Sequence, residues 1–458
     1  MSEGLRSKIA EIDKRLLELA AERMRIAQQI GKQKRSEGVG VVSPEVEAAV
    51  VSRAEALSGS LGLDLPFAHR LIALLIEEAV RIQDPSELRN SQQSFSFFAK
   101  AVAEKEKTAK VVRLDRDEDD LVLPKAATWA LMANSRKNSL GHPSRVRETF
   151  RKMVCDRLNE RHGIDLDAEQ ILITPGGRLA AFMAILALVS QGERAVIPSP
   201  APPLYGNTIR LVGGREYPLH TSLECKWDMD MAKLGQFLHL RPELMVLGLP
   251  NNPTGKVYSD SALRETVSMA EEAGTCVLAD ETYAQEFPAT LLRVAESNFV
   301  CLNSMSNVLG MDGSGMGYIV SDEDTIVKIA DVMQLSDIVP TFPPEAVLEA
   351  LTESDVCREH EKEMKRRMAS ATEALDRLPV RYYRPDEGMF LFPKVELEGF
   401  DSEVFTRRLL EEEHVMVTPG EVFGDYPKHF RVSLGTGWED VNKGMAGIRR
   451  MLEKWERE

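Results

Sequence analysis

A heptad pattern of apolar residues near the N-terminus most constrains how this chain can fold. The apolar positions alternate at steps of four and three: Leu5, Ile9, Ile12, Leu16, Leu19, Ile26 and Ile30. This spacing is typical of a helix packed along most of its length against another helix, so we predict one long helix over residues 4–36. One position breaks the apolar seam, because Arg23 stands where an apolar residue is due.

The arginine in the seam has two interpretations. A charge in an apolar interface is costly unless it is paired, so Arg23 forms either a structural salt bridge or part of a buried anion site. Lys34 favours the anion site, because eleven residues of helix place it about 20° around the axis from Arg23. Two long cationic side chains on one face can converge on a single ligand.

Two shorter helices are predicted next. Ser43 and Pro44 suit an N-cap and a first helical position, and a third helix is expected from about Asp64 to Gln83. A first helix of about 45 Å would leave its seam exposed beside such short partners. We therefore expect a homodimer formed through the first helix.

Residues 5–83 resemble the all-helical chorismate mutases, which are intertwined homodimers. The matching text is Leu5-Arg6-x-x-Ile9-x-x-Ile12-Asp13, Leu16-Leu17-x-Leu19-x-x-Glu22-Arg23, Ile30-Gly31-Lys32-x-Lys34, Glu47, and Ile76-Glu77-Glu78 through Gln83. The chain departs from the family at Ser43, Val46 and Ala79, where peripheral polar contacts are missing. Altered substrate affinity, rather than loss of activity, is expected from these changes.

The resemblance implies a role for each of five residues. Arg23, and Arg6 from the partner subunit, would hold the two carboxylates of chorismate. Lys34 and Gln83 would donate to the ether oxygen of the breaking bond, and Glu47 would accept from the ring hydroxyl. The rearrangement of chorismate to prephenate needs no nucleophile and no acid–base pair. It needs a folded conformer of the dianion and positive charge where negative charge develops.

Beyond residue 120, short apolar runs alternate with helical stretches. Six runs are candidate strands: 171–174, 195–198, 244–248, 276–280, 299–302 and 318–320. Near-continuous apolar strands separated by helices indicate a mostly parallel sheet covered on both faces. Ligands of such sheets bind outside the carboxyl ends of the strands.

Distinctive residues stand at those strand ends. Gly176 and Gly177 follow the first candidate strand and open a helix, which is a possible phosphate site. Asn252 lies in a Pro-Asn-Asn-Pro-Thr-Gly turn after the third strand, and Asp280 ends the fourth. Singly, each has a structural interpretation, as a turn or a helix cap. Together, from about residue 110 to the C-terminus, they resemble the fold type I aminotransferases of class I/II, which use pyridoxal phosphate.

This second resemblance implies a multidomain chain. Residues 1–88 would form the all-α three-helix module, residues 89–110 a linker, and residues 111–458 an α/β domain with a large subdomain at about 145–335 and a small one from the remaining parts. Asp280 would pair with the pyridinium nitrogen, and Asn252 and Tyr283 would contact the phenolic oxygen. The remaining roles are carboxylate binding by Arg431 and phosphate binding by Gly176, Gly177, Ser304 and Ser306.

The family pattern Ser-x-Ser-Lys-x-x-Gly-x-x-Gly-x-Arg-x-Gly is altered at its two charged positions. Asn307 stands at the Schiff-base lysine, and Gly315 at the phosphate-binding arginine. An amide can neither form the Schiff base nor move the substrate proton. Pyridoxal phosphate is therefore expected to bind noncovalently at most.

Bulk composition excludes several classes of partner. The 458 residues carry a formal net charge of −15, so nucleic acid and anionic membranes are not expected partners. Five scattered cysteines without a CxxC pair argue against a zinc site and a disulfide framework, and favour the cytoplasm. No secretory leader or apolar run of 18 residues is seen.

Three functions remain after these exclusions. The first is a chorismate mutase joined to an aminotransferase-fold domain that no longer transaminates. The second is a bifunctional enzyme whose second domain aminates prephenate or its keto-acid product, and it requires a substitute lysine. The third is a non-catalytic sensor of aromatic metabolites, which the cations Arg6, Arg23 and Lys34 disfavour. Asn307 disfavours the second function, so the sequence favours the first.

Overall fold

The computed structural model describes residues 2–37, 44–83, 90–117, 143–284, 290–304, 316–335 and 354–458. The chain divides into two compact units, Met1–Gln93 and Ser94–Glu458. The predicted boundaries at residues 88 and 110 stay predictions.

Three helices make up most of the first unit: α1 (Ser2–Glu37), α2 (Pro44–Leu61) and α3 (Leu65–Gln83). They confirm the all-α prediction, although Ser43 lies outside the described residues. Helices α1 and α3 approach each other closely where Gly31 meets Gln83: a Cβ built on Gly31 would lie 2.7 Å from Gln83 Cγ. Much of the predicted seam is uncovered in the single chain, and Ile9 and Leu16 are more than half exposed.

A seven-stranded sheet forms the centre of the second unit. Its strands are β2 (Ile171–Thr174), β3 (Arg194–Ser199), β4 (Arg215–His220), β5 (Leu244–Gly248), β6 (Cys276–Asp280), β7 (Phe299–Ser304) and β8 (Gly317–Ser321). The strand order is β2-β8-β7-β6-β5-β3-β4. Only β8 runs antiparallel to its neighbours in this sheet, so the mostly parallel prediction is confirmed.

Strand β4 was not among the predicted strands. It lies at the edge of the sheet and, among the strands that the structure describes, pairs only with β3. Its sequence, Arg-Glu-Tyr-Pro-Leu-His, alternates buried Tyr217 and Leu219 with exposed residues and contains a proline. An edge strand tolerates both alternation and a proline. Neither feature gives the continuous apolar run by which buried parallel strands are predicted.

Helices cover the sheet. They are α5 (Pro143–His162), α6 (Gly177–Leu188), α7 (Pro203–Leu211), α8 (Met231–Leu238), α9 (Asp260–Ala273) and α10 (Glu323–Gln334). One apolar core joins α6, α7 and α10 to the strands through residues such as Ile185, Ile209 and Ile329, all completely buried. This packing fixes the carboxyl ends of β5 and β6 beside the start of α7.

The rest of the second unit surrounds a separate apolar core that includes Phe390, Phe405 and Phe430. Its helices are α4 (Asn90–Glu106), whose first four residues belong to the first unit, α11 (Ser354–Leu375), α12 (Ser402–Arg408) and α13 (Trp438–Trp455). Its strands are β1 (Val112–Arg113), β9 (Val380–Arg381), β10 (Phe390–Leu391), β11 (Lys394–Val395), β12 (Val415–Met416), β13 (Thr418–Pro419) and β14 (Phe430–Ser433). Parallel pairing of β1 with β12 brings the chain after residue 113 towards β14.

Candidate functional site

Arg23 lies between α1 and α3 in the first unit. Its guanidinium is half-buried, and Nη1 donates to the backbone carbonyl of Leu75. Burial lowers the pKa of Arg23. Among the described contacts, the hydrogen bond of this guanidinium is to the Leu75 carbonyl, and the salt-bridge and anion-site interpretations both stay predictions.

The other predicted site residues of the first unit do not all lie at one place in the single chain. Gln83 is buried at the end of α3 against Gly31, and Lys34 follows Gly31 by one turn of α1. Lys34 and Gln83 therefore lie at the same end of the α1–α3 pair. Arg6 is exposed near the start of α1, far along the helix from Lys34, and the structure of a single chain does not bring the two together. Glu47 lies in the first turn of α2, and its side chain is outside the described part.

Asp280 is the last residue of β6 in the second unit. Its Oδ2 accepts a hydrogen bond of 2.6 Å from the Tyr205 hydroxyl, and its Oδ1 accepts one of 3.0 Å from the Thr282 amide. Burial raises the pKa of the Asp280 carboxyl, and the hydrogen bonds from Thr282 and Tyr205 act in the opposite direction. The result is a half-buried carboxylate held in one orientation at the strand end.

Arg431 on β14 is almost fully buried beside Asn252. Its Nη1 donates to Asn252 Oδ1 over 2.9 Å, and its Nη2 donates to the Asp115 carbonyl over 2.8 Å. Nη2 also lies 2.5 Å from the carboxylate oxygen Oδ1 of Asp117. The structure thus brings together Arg431 and Asn252, which the sequence predicted as parts of one site, and adds an acidic residue that the sequence did not indicate.

Aromatic rings enclose this arginine. The Arg431 guanidinium carbon lies 4.6 Å from the centre of the Phe390 ring and 5.1 Å from that of Phe423. Tyr283 packs edge-on against Phe390 with ring centres 4.7 Å apart. Burial raises the pKa of Tyr283 well above its usual range, and the negative charge of Asp117 raises it further. Tyr283, Asp117 and Arg431 therefore lie close enough to interact electrostatically.

A small cradle lies at the N-terminus of α6. Gly176 is the N-cap with φ of 87°, a backbone angle that favours glycine. A Cβ on Gly177 would lie 2.5 Å from Thr282 Oγ1 and 3.2 Å from Ser304 Cβ. Only glycine allows this close approach of Thr282 and Ser304 to the start of α6, the end of a helix where backbone amides can bind an anion. Ser306, Asn307 and Gly315 lie outside the described residues.

Two residues near the site carried no role in the sequence predictions. Tyr205 reaches Asp280 across 75 positions of sequence, and Asp117 lies 2.5 Å from Arg431 and 4.0 Å from Arg178 Nη2. A single tyrosine in a short helix gives no signal of its own. The acidic run after residue 114 has the composition of a solvent-exposed segment. Asp117 is therefore recognised as part of the site only from its contact with Arg431.

The described residues hold no cluster of three or more His, Cys, Asp or Glu side chains that could bind a metal ion. Among them, no helix is long and apolar enough to cross a membrane. The second site offers a half-buried carboxylate, two phenols, an amide, an arginine and the backbone amides at the start of α6.

Two family descriptions match the chain. The description "Aminotransferase class I and II" matches residues 110–448, and "Chorismate mutase type II" matches residues 5–84. These matches confirm both resemblances predicted from the sequence.

Individual relatives align with the second region. The aromatic-amino-acid aminotransferase 2 of Thermococcus litoralis is 24% identical over 67% of this chain and 82% of its own length. A probable aspartate/prephenate aminotransferase of Aquifex aeolicus is 25% identical over 79% of this chain and 96% of its own. The crystal structure of an aspartate aminotransferase from Thermotoga maritima superimposes with a TM-score of 0.71 at 25% identity, over 79% of this chain and 97% of that one.

Proposed function

Since the chain belongs to the class I and II aminotransferase family and carries a type II chorismate mutase domain before it, we propose that it converts chorismate to prephenate and binds pyridoxal phosphate with an aromatic or prephenate-type amino or keto acid. The first activity rests on Arg23. Its half-buried guanidinium lies between α1 and α3, where Nη1 donates to the Leu75 carbonyl, and a cation at this position suits an anionic substrate.

The proposed mutase mechanism is electrostatic and geometric. Arg23 holds one carboxylate of chorismate, and Arg6 of the partner subunit holds the other. Lys34 and Gln83 donate to the ether oxygen as the C–O bond breaks and negative charge develops there, while Glu47 accepts from the ring hydroxyl. Positive charge preset in a helical bundle is more effective than the same charge in water, because it needs no reorganisation during the reaction.

This mechanism requires a homodimer formed through α1, and the exposed apolar seam of that helix supports one. Ile9, Ile12 and Leu16 are each more than half exposed in the single chain, although their spacing is that of a packed seam. A second copy of α1 would bury these side chains. It would also supply Arg6, which lies several turns from Lys34 on its own helix.

Substitution of Arg23 tests the mutase assignment. Arg23→Ala is expected to abolish the consumption of chorismate, followed by the loss of its ultraviolet absorbance. Arg25→Ala is the matched control, because Arg25 is exposed and, among the described residues, its Nε donates only to the Ala21 carbonyl of the same helix, over 3.4 Å. Equal rates in the two variants would contradict the assignment.

For the second domain, the comparisons favour the bifunctional hypothesis over loss of transamination. The relatives bear the names of aspartate, aromatic-amino-acid and prephenate aminotransferases, and Asp280, Tyr283, Asn252 and Arg431 gather in one site. The glycine cradle at Gly177 fits a phosphate, and Asp280 fits a protonated ring nitrogen. Pyridoxal phosphate, when bound, supplies a ring that withdraws electrons from the substrate α-carbon.

The residues of this chain would divide the remaining tasks. Arg431 would bind the ligand's α-carboxylate, with Asn252 orienting the guanidinium. Asp280, held by Tyr205 and Thr282, would keep the ring nitrogen protonated. Gly176, Gly177, Ser304 and Ser306 would hold the phosphate, and Tyr283 would contact the phenolic oxygen with Asn252.

Asn307 remains the argument against transamination, because the sequence has no lysine at the Schiff-base position. One experiment separates the two hypotheses: the full-length protein is mixed with pyridoxal phosphate, reduced with borohydride, and digested for mass spectrometry. A labelled lysine peptide would support the bifunctional enzyme and identify its substitute base. Cofactor absorbance that is removed by dialysis, with no labelled peptide, would support noncovalent binding without transamination.

A further inference from the structure

The buried guanidinium of Arg431 already contacts several hydrogen-bond acceptors of the protein itself, more than are needed to position it for a ligand's carboxylate. Its side chain is 5% exposed, and its Nη atoms donate to Asn252, Asp115 and Thr418. A buried guanidinium also needs a countercharge, because an unpaired buried charge is strongly destabilising. Among the described residues, the carboxylate that provides it is that of Asp117.

The contact between Asp117 and Arg431 is one-sided. Oδ1 of Asp117 lies 2.5 Å from Arg431 Nη2, whereas Oδ2 faces the exposed Arg178, with 4.0 Å to its Nη2. Within the described part of the chain, Arg431 Nε has no hydrogen-bond acceptor. A ligand carboxylate could use two N–H groups of the fork at once, which is the stronger geometry.

We propose that Asp117 occupies the ligand-carboxylate position of the second domain, so that a carboxylate ligand reaches Arg431 only by displacing the Asp117 side chain. This inference rests on the proposed function only in taking Arg431 as the group that binds the ligand's carboxylate. It makes Asp117 a residue that weakens the binding of every ligand carboxylate at Arg431 by the same factor.

The backbone near Asp117 is compatible with displacement. Hydrogen bonds tie Leu114 to its neighbours on both sides: its amide donates to the Met416 carbonyl over 2.8 Å, and its carbonyl accepts from the Ser433 amide over 2.7 Å. Arg431 adds its bond to the Asp115 carbonyl. Asp117 comes two residues later, and its side chain is 23% exposed. It can leave Arg431 for solvent while residues 112–115 stay in place.

Displacement has a measurable consequence for affinity. Two carboxylates at one guanidinium repel each other, so the ligand binds only the fraction of molecules in which Asp117 has left. The apparent dissociation constant is the intrinsic one divided by that fraction. Removing the Asp117 charge should therefore tighten the binding of carboxylates and leave uncharged analogues unaffected.

The test uses the full-length protein in the presence of pyridoxal phosphate, with binding measured by isothermal titration calorimetry. The probes are phenylpropanoate and the uncharged phenylpropanol. Asp117→Asn keeps the side-chain size and an acceptor for Arg431, and Asp117→Gly provides a second variant. Asp115→Asn is the matched control, because it removes a carboxylate that pairs with Arg113 at 2.8 Å but retains the carbonyl bonded to Arg431.

The proposal expects both Asp117 variants to bind phenylpropanoate on the order of tenfold more tightly than the wild type, with phenylpropanol unchanged and Asp115→Asn equal to the wild type. Equal phenylpropanoate affinity in wild type and Asp117 variants would overturn this inference alone. The same tightening in Asp115→Asn would also overturn it. If no form binds phenylpropanoate, the assignment of Arg431 in the proposed function fails together with the inference.

Discussion

Arg431 donates through Nη1 to Asn252 Oδ1 over 2.9 Å, and both side chains are buried. Arg431 belongs to β14, which pairs with β10 and β13, whereas Asn252 lies in the turn after β5 of the seven-stranded sheet. One hydrogen bond thus joins the three-stranded sheet to the turn after β5 of the seven-stranded sheet at the candidate site.

Asn252→Ala should destabilise the second unit. The substitution leaves a donor of a buried guanidinium without its acceptor, which costs about 1–3 kcal/mol. Unfolding in urea, followed by circular dichroism, measures the change. Asn252→Asp retains an acceptor and is expected to recover most of the loss, so equal destabilisation by the two substitutions would contradict the role of this hydrogen bond.

Gly31→Ala should impair the mutase domain although alanine is the better helix former. The new Cβ would lie 2.7 Å from Gln83 Cγ and 3.0 Å from its Cα, so α1 and α3 must move apart. We expect chorismate turnover to fall by about 10- to 100-fold, the effect of misplacing a catalytic group by about 1 Å. Gly59→Ala on α2 is the control, because nothing lies within 4 Å of its Cβ; it should raise stability by up to about 1 kcal/mol without changing turnover.

Tyr205→Phe should make stability depend more strongly on pH. Burial already raises the pKa of Asp280, and the loss of the Tyr205 hydrogen bond should raise it further. A carboxyl whose pKa is raised by folding stabilises the folded state below its ordinary pKa, and that contribution is lost as pH rises through the folded pKa. The variant should therefore be weakened by about 1–3 kcal/mol at neutral pH and by less in acid.

Urea titrations of the wild type and the Tyr205→Phe variant, at neutral and at acidic pH, measure how the loss of stability depends on pH. Tyr258→Phe is the control, since Tyr258 is buried and makes no hydrogen bond to Asp280 within the described structure. A pH-independent loss in Tyr205→Phe would contradict the link to Asp280.

Co-expressed mutase variants should complement each other if the active site is shared between subunits. A heterodimer of Arg6→Ala and Arg23→Ala chains contains one site with both arginines intact. Random pairing makes about half of the dimers mixed, so about a quarter of the wild-type chorismate activity should return.

The pair Arg23→Ala and Lys34→Ala provides the control for this complementation, because both residues are assigned to the same subunit's site and every mixed site stays defective. Activity restored by this second pair, or none restored by the first, would contradict the assignment of Arg6 to the partner.

Much of the fold follows from local pattern. The seam from Leu5 to Ile30 predicted α1, and six apolar runs predicted β2, β3 and β5–β8, because buried strands and amphipathic helices repeat at fixed periods. Strand β4 was not predicted from an apolar run, because buried and exposed side chains alternate along it. The glycines at Gly176 and Gly177 were also recognisable, because their position after a strand is itself a structural signal.

The sequence by itself determined that a long seam with a single arginine precedes an α/β sheet with polar residues at its strand ends, and that Asn307 replaces a lysine. Tertiary structure decided which groups meet at those ends. It placed the Tyr205 hydroxyl on Asp280 and the Asp117 carboxylate on Arg431. Neither contact has a sequence signal, because each joins residues distant in the chain through side chains whose directions depend on the packing around them.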